Sequence, residues 1–230
     1  MSDKQVNKPY NILIFDWDGT LMDSAAHITA CMRNAIAQVG ADFCTDTAIR
    51  NIIGLGLEEA VRHLLPEASA AVVRRVVEEY RQEFLFRTSH SSELFAGVRE
   101  TLATLQAQGY YLAVATGKSR RGLDKVLAET GLEQVFAMTR CADETHSKPN
   151  PLMLAEILTD FDAQPSDALM IGDSEYDLLM ARNIQMDALA VSYGVHDLER
   201  LLQHQPRGYV DQVDHIPLWL EKYTEQGKTA

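Results

Sequence analysis

Two acidic residues separated by a single position follow the first apolar segment of the chain. In LIFDWDGTLMDS, residues 13–24, Asp16 and Asp18 come directly after Leu-Ile-Phe, a run that is typical of a buried β-strand. Like charges at this spacing repel one another and resist burial, so the carboxylates need a compensating cation. The first strand must therefore end where the fold tolerates clustered charge.

Short apolar runs recur along the chain and alternate with helical patterns. They predict strands over residues 11–15, 111–116, 135–139, 168–172 and 188–192. Between them, Val98, Leu102 and Leu105 share one face of a predicted helix, and Pro151 suits the first turn of another. This alternation predicts an α/β fold with a doubly wound parallel sheet, in which right-handed helical crossovers join strands in the order 3-2-1-4-5.

The alternation stops between residues 24 and 90, where we find helical patterns alone. Apolar spacing predicts four helices, with boundaries near residues 28–39, 45–53, 57–65 and 73–84. We therefore expect a small α-helical domain over residues 23–90. It would be inserted into an α/β core that comprises residues 1–22 and 91–230.

Polar residues follow three of the predicted strands where those strands end. Asp16 follows the first, Thr116 and Gly117 the second, and Asp173 and Asp177 the fourth. Ligands of open parallel sheets bind outside the carboxyl ends of the strands, where the winding reverses, so we expect these residues to meet in one cleft. Clustered carboxylates suit a hard divalent cation, and Mg²⁺ also bridges to phosphate. The sequence predicts a Mg²⁺ site and an anionic substrate.

A lysine and two phosphate-binding groups complete this predicted site. Lys148, in the loop HSKPNP, could offset carboxylate charge, while the Thr116 hydroxyl and the Gly117 amide donate to a phosphoryl group. Within that cradle, Asp16 could attack phosphorus to give an aspartyl-phosphate. Asp18 could protonate the leaving oxygen and then deprotonate the attacking water. We thus expect Asp16, Asp18, Thr116 and Lys148 to be catalytic.

Four motifs carry a resemblance to a known family. The segments DWDGT, VATGKS, KPNP and GDSEYD resemble the haloacid dehalogenase superfamily, specifically its phosphatases with a helical C1-type cap and a Rossmann-like core, of the phosphoglycolate phosphatase type. The resemblance implies Asp16 as nucleophile and Mg²⁺ ligand, and Asp18 as acid and base with its backbone carbonyl on the metal. It also implies Asp173 as a metal ligand and Asp177 as support of the metal site.

Residues of the inserted segment are candidates for recognising the rest of the substrate. Gly54 and Gly56 lie between two predicted helices and suggest a loop that dips into the site. We expect Arg50 and Arg62 nearby to bind substrate, although both also fit solvated helix faces.

Composition restricts the partners and the location. The formal charge of −12 disfavours binding to nucleic acid. No run approaches the roughly 20 apolar residues that span a bilayer, and no export signal is visible at the start, so we expect no membrane contact. The three cysteines are widely spaced, which favours a reducing compartment. The sequence thus predicts a cytoplasmic enzyme, monomer or homodimer, that acts on a small phosphorylated metabolite.

Two other functions remain open. A phosphosugar mutase of the β-phosphoglucomutase type would keep both Asp16 and Asp18. A non-enzymatic phospho-acceptor module, similar to a response-regulator receiver, also places Asp, Thr and Lys at strand ends with Mg²⁺. Asp18 would have no role in such a slow switch, and a receiver has no helical insertion.

Overall fold

A six-stranded parallel sheet forms the centre of the molecule. The computed structural model describes residues 8–87 and 93–227. The described residues form eight strands, of which β2 and β3 make a separate two-stranded sheet. The strands are β1 (Ile12–Phe15), β2 (Met22–Asp23), β3 (Glu93–Leu94), β4 (Tyr111–Thr116), β5 (Met138–Cys141), β6 (Ala168–Gly172), β7 (Asp187–Val191) and β8 (Gly208–Val210). The sheet order is β5-β4-β1-β6-β7-β8, with all neighbours parallel. The predicted doubly wound sheet and the order of its five predicted strands are confirmed.

Ten α-helices connect and cover these strands in the described ranges. They are α1 (Ala25–Val39), α2 (Asp46–Asn51), α3 (Leu57–Leu64), α4 (Ala70–Gln82), α5 (Val98–Ala107), α6 (Arg120–Thr130), α7 (Leu152–Asp160), α8 (Glu175–Arg182), α9 (Leu198–Leu202) and α10 (His215–Gly227). A π-helical turn, Glu83–Arg87, extends α4. None of the helices described is both long and apolar enough to cross a membrane.

Two details of the sheet differ from the prediction. β5 begins three residues later than the apolar run suggests, because the Val135 amide closes a turn on the Leu132 carbonyl and Phe136 packs edge-on against Trp17. β8 was not predicted. It has only three residues and Tyr209 is exposed, so the segment has no apolar run long enough to indicate a buried strand.

β1 is buried on both faces, as a central parallel strand must be. Leu13 and Phe15 belong to the apolar core under α5, α6 and α10. Ile12 and Ile14 belong to the opposite core, under α7 and α8. The strand is thereby fixed between two layers of helices, and the position of the residue that follows it is fixed as well.

The helical insertion has an apolar core of its own. The four predicted helices are present as α1 to α4, and α1 packs along α4 through Met32, Ile36, Val73 and Val76. The short strands β2 and β3, which pair antiparallel, bring together the two points where the chain enters and leaves the insertion. We propose residues 23–90 as the cap domain for this reason, while its predicted boundary at 90–91 lies outside the described residues.

Candidate active site

The carboxyl ends of three adjacent strands position the candidate catalytic residues. Asp16 follows β1, Thr116 is the last residue of β4, and Asp173 follows β6. Because β4 and β6 flank β1 in the sheet, the three residues converge at one edge, as predicted. Asp177 joins them from the first turn of α8.

Lys148 forms the electrostatic centre of the site. Its Nζ lies 2.7 Å from Asp16 Oδ1 and 2.6 Å from Asp177 Oδ1, and all three side chains are almost completely buried. Burial opposes the charge of the Lys148 ammonium, but Asp16 and Asp177 outweigh it and hold the pKa of Lys148 above its usual range. The ammonium therefore stays protonated and pairs with two carboxylates at once.

Asp16 is the least satisfied group in the cluster. Neither carboxylate oxygen of Asp16 accepts a well-directed hydrogen bond from a described residue, although Oδ1 contacts the Lys148 ammonium. Burial raises the pKa of Asp16 well above its usual range, Lys148 opposes this, and Asp173 and Asp177 reinforce it. A buried carboxylate that is held by one ion pair keeps unused acceptor capacity, so Asp16 is available to bind or react with a ligand.

Asp173 and Asp177 are held more firmly than Asp16. Thr20 Oγ1 donates to Asp173 Oδ1 at 2.7 Å, and the Val195 amide donates to Oδ2 at 2.8 Å. Burial and the charge of Asp177 nevertheless raise the pKa of Asp173 to about 7. Asp177 accepts hydrogen bonds from the amide and hydroxyl of Ser174, which caps α8. Both side chains are thus fixed in direction before any ligand binds.

The residues of the acidic cluster fit a divalent cation. Carboxylate oxygens of Asp16, Asp173 and Asp177 all lie within 4.8 Å of one another. When all three are ionised, the single ammonium of Lys148 leaves two negative charges uncompensated in a buried site. Carboxylate oxygens are the protein ligands that Mg²⁺ prefers, and water or phosphate oxygens complete its coordination.

Gly19 gives this cluster the space it needs. Its backbone has φ of 82°, a conformation that favours glycine, and a Cβ at this position would overlap the carboxylate of Asp173. The motif DWDGT thus supplies Asp16 and, through Gly19, leaves space for the carboxylate of Asp173.

Asp18 lies outside the acidic cluster and lines the same cavity as Asp16. Its Oδ1 accepts a hydrogen bond from Ser24 Oγ at 2.6 Å and lies 3.0 Å from Lys118 Nζ. The metal role predicted for Asp18 involves its backbone carbonyl and stays a prediction. Lys118 was not among the predicted site residues, although its place two residues after β4, in TGKS, was a usable signal.

Comparison with known proteins agrees with this arrangement. The family model described as haloacid dehalogenase-like hydrolase matches residues 13–191. The chain belongs to this family. It is 34% identical to "Probable phosphatase IndB" of Dickeya dadantii, over 89% of this chain and 91% of that protein. It is 29% identical to a phosphoglycolate phosphatase of Vibrio vulnificus, over 89% and 93% of the two chains.

A solved structure shares the fold of this haloacid dehalogenase-like hydrolase. The crystal structure of a predicted phosphoglycolate phosphatase from Haemophilus somnus matches with a TM-score of 0.84 and 22% identity, over 93% of this chain and 99% of that chain. The predicted family, α/β fold and enzyme class, a phosphatase that resembles phosphoglycolate phosphatases, are confirmed.

In this hydrolase the loop between α2 and α3, residues 52–56, lies directly over the candidate catalytic residues. We call it the cap loop. The Gly56 amide donates to Ser147 Oγ at 2.7 Å, next to Lys148. A Cβ on Gly117 would come 2.5 Å from the carbonyl oxygens of Gly54 and Leu55. The expectation that this glycine-containing loop reaches the site agrees with these contacts.

A cavity of about 480 Å³ lies between the cap and the sheet. Asp16, Asp18 and Gly117 form part of its wall. Thr116 and Lys148 are buried behind that wall. The phosphate-binding role predicted for Thr116 stays a prediction, since its hydroxyl here accepts a hydrogen bond from the Lys118 amide.

The two predicted cap arginines differ in position. Arg62 lines the cavity and is paired with Glu58 at 2.7 Å. Arg50, exposed in the last turn of α2, is absent from the cavity wall in the described part of the chain. The predicted substrate-binding role of Arg50 receives no support, because its side chain points to solvent.

A group of core residues that was not predicted holds the start of the cap loop. Tyr176 Oη donates to the Asn51 carbonyl at 2.8 Å, His196 Nε2 lies 3.2 Å from the same oxygen, and Arg200 reaches Asn51 Oδ1 at 3.3 Å. Burial lowers the pKa of His196. Its Nδ1 accepts from the Glu175 amide, so the neutral ring can donate through Nε2. These contacts join the cap to the catalytic core.

Proposed function

We propose that this chain is a magnesium-dependent phosphatase that hydrolyses a small phosphorylated metabolite through an aspartyl-phosphate intermediate. The observation that carries the proposal is Asp16. It is a buried carboxylate at the cavity wall, it lacks directed hydrogen bonds, and it stands beside a fixed ammonium. Membership of the haloacid dehalogenase-like hydrolases supports the same chemistry.

The two motif acids divide the reaction between them. Asp16 attacks the phosphorus atom, the bond from phosphorus to the ester oxygen breaks, and the phosphoryl group transfers to the carboxylate. Asp18, which faces the same cavity, gives its proton to the departing oxygen. It then takes a proton from the water that attacks the aspartyl-phosphate, and inorganic phosphate leaves.

The remaining residues of the site hold charge in place. Lys148 keeps Asp16 oriented and offsets the negative charge that arrives with the phosphoryl group. Lys118 and Ser24 fix the direction of the Asp18 carboxylate. Asp16, Asp173 and Asp177, with the backbone carbonyl of Asp18, would hold Mg²⁺. The ion would neutralise their charge and that of the phosphoryl oxygens.

The sequence also predicts a cytoplasmic location and a monomer or homodimer. Both stay predictions that belong to this proposal.

The proposal is tested by Asp16→Asn, with Asp23→Asn as a matched control. Asp23 is an exposed acid seven residues further along the same motif segment, on β2. Asp16→Asn should abolish phosphate release from a panel of phosphorylated metabolites while circular dichroism stays unchanged, and Asp23→Asn should remain active. Retained turnover in Asp16→Asn would refute the mechanism.

The products distinguish the two alternative functions. Free inorganic phosphate indicates a phosphatase, whereas an isomerised sugar phosphate without phosphate release indicates a mutase. A receiver-like module would hold the phosphoryl group on Asp16 for seconds to hours without turnover.

A further inference from the structure

The cavity is larger than the phosphoryl site that it contains. It measures about 480 Å³ and extends from Asp16 and Asp18 to the helices of the cap. A phosphorylated two-carbon acid occupies roughly 150 Å³ at the packing density of small-molecule organic crystals. Most of the cavity therefore lies beyond the space that such a small substrate would fill, and its size is typical of sites for larger ligands.

One part of the cavity, lined by cap segments other than α3, is largely apolar, whereas α3 contributes the charged side chains of Glu58, Glu59 and Arg62. Six side chains form this apolar part, which we call the apolar chamber. They come from α1, from the first residue of the cap loop, and from α4 with its π-helical extension: Ile28, Met32, Ile52, Tyr80, Phe84 and Leu85. These segments of the cap thus present hydrocarbon and ring surface to the ligand. Such a surface favours a ligand that brings apolar area out of water.

The cationic side chains of the cavity wall already have acidic partners. Within the described residues, Lys118 pairs with Asp18 at 3.0 Å and Arg62 with Glu58 at 2.7 Å. Arg81 lies 3.9 Å from a glutamate one turn away, and His146 is exposed at the rim. A second carboxylate on the substrate would have to displace one of these pairs. The wall therefore disfavours a short, doubly anionic substrate.

Two aromatic rings give the chamber a flat side. The rings of Tyr80 and Phe84 stack with centroids 5.9 Å apart and planes inclined by 13°. The Tyr80 hydroxyl makes no hydrogen bond with a described residue, and burial raises its pKa, as do Asp18 and Cys31. A neutral phenol at a cavity wall can donate to a polar atom of a ligand.

We propose that the substrate is a phosphomonoester whose alcohol carries a ring-sized body, of the dimensions of a nucleoside 5′-monophosphate, and that Tyr80 is a specificity-determining residue for it. The phosphoryl group lies at Asp16, and the ring lies in the apolar chamber. This inference rests on the proposed phosphatase function and names the substrate class of that same site.

The test compares 2-phosphoglycolate with uridine and adenosine 5′-monophosphates. Wild-type kcat/KM should be at least about tenfold higher for one of the two nucleotides, the scale on which a filled apolar pocket discriminates. A higher kcat/KM for 2-phosphoglycolate than for both nucleotides overturns the inference. That result would leave the phosphatase proposal intact.

Binding to Asp16→Asn separates the inference from the proposed function. By calorimetric titration, this variant should bind one of the nucleotides more tightly than 2-phosphoglycolate. If it does so while the wild type turns over neither, the phosphatase proposal fails and the assignment of the ligand class stands. Equal or weaker nucleotide binding overturns the assignment.

Filling the chamber provides a second, independent test. Ile28→Trp should lower kcat/KM for the preferred nucleotide at least tenfold more than for 2-phosphoglycolate. Ala37→Trp places the same side chain at an exposed position of the same helix and should change neither value. Tyr80→Phe keeps the ring and removes the hydroxyl, so it should raise the nucleotide KM threefold or more at unchanged kcat. Equal losses for both substrates in Ile28→Trp would contradict the proposal.

Discussion

The acidic floor of the cavity and its apolar chamber are built in opposite ways. The floor consists of Asp16, Lys148, Asp173 and Asp177, which are buried, charged and tied to one another or to the backbone. The chamber consists of apolar and aromatic side chains, and the Tyr80 hydroxyl makes no hydrogen bond with a described residue.

This difference separates two tasks. Charges in a buried site interact strongly and tolerate little displacement, so the floor can stabilise one reaction geometry. Apolar contacts are not directional, so the chamber can distinguish substrates without changing the chemistry. Substitutions in the floor should therefore abolish activity on every substrate, and substitutions in the chamber should alter the order of preference.

Removal of the central ammonium should have the largest effect. Lys148→Met leaves Asp16 and Asp177 as buried carboxylates without their partner. We expect a loss of kcat of at least about 10³-fold on every substrate. In metal-free buffer we also expect a loss of roughly 3–5 kcal/mol in the free energy of unfolding. Kinetics and urea denaturation measure the two effects.

Lys222→Met is the matched control, since Lys222 is exposed on α10, away from the cavity. It should leave both quantities unchanged. A Lys148→Met protein with near-normal kcat would show that the floor does not act as a charged unit.

Removal of magnesium should affect the floor alone. Chelation should abolish turnover reversibly, and added Mg²⁺ at a hundred times its Kd should raise the free energy of unfolding by about 2.7 kcal/mol. Asp173→Asn should lose most of this stabilisation, because it removes one of the three carboxylates. Asp214→Asn is a suitable control, since Asp214 lies outside the acidic cluster. Thermal unfolding with and without Mg²⁺ measures the shift, and an equal shift in Asp173→Asn would contradict the assigned ligands.

The metal-free floor should make stability depend on pH. The pKa of Asp173 rises from its ordinary 3.8 to about 7 in the folded chain, so the folded state binds more protons than the unfolded state between these values. The free energy of unfolding should therefore fall as pH rises from about 4 to about 7. Denaturation midpoints in chelator measure this fall, and Asp173→Asn should reduce it. A rise in stability over the same range would contradict the electrostatic description.

The link between floor and chamber should give the smallest effect. Tyr176→Phe removes the hydrogen bond to the Asn51 carbonyl, which helps to hold the cap loop. A single hydrogen bond contributes about 0.5–1.5 kcal/mol, so we expect KM to rise roughly threefold to tenfold with kcat little changed. Tyr111→Phe, at an exposed position of β4, should have no effect. A large fall in kcat in Tyr176→Phe would mean that this contact also aligns the floor.

The floor could be predicted from sequence because its acids follow strands or lie in the first turn of a helix, while Lys148 lies in the loop before α7. Asp16 and Asp173 stand directly after apolar runs, and a parallel sheet brings the ends of adjacent strands together. The order of the strands was sufficient to place these side chains in one cleft.

The chamber could not be predicted in the same way. Tyr80 and Phe84 belong to an apolar stripe that ends on α4 and its π-helical extension, and such a stripe indicates burial without showing whether protein or ligand covers it.

The contacts that hold the cap loop could not be predicted either. Asn51 contacts Tyr176 and Arg200, which lie 125 and 149 positions further along the chain, and no local sequence pattern indicates such pairs. The substrate-binding role of Arg50 stays a prediction, since helix spacing alone did not decide which face of α2 meets the cavity.

The central claim is that Asp16 carries the phosphoryl group, and it can be measured directly. Asp18→Asn removes the group that activates water, so a phosphate ester whose leaving group needs no proton, such as p-nitrophenyl phosphate, should leave its phosphoryl group on the enzyme. After a single-turnover incubation and acid quench, peptide mass spectrometry should find one phosphoryl group on the peptide that contains Asp16. A phosphoryl group on any other residue would contradict the account, as would product formation by the wild type without a trappable phosphoenzyme in either protein.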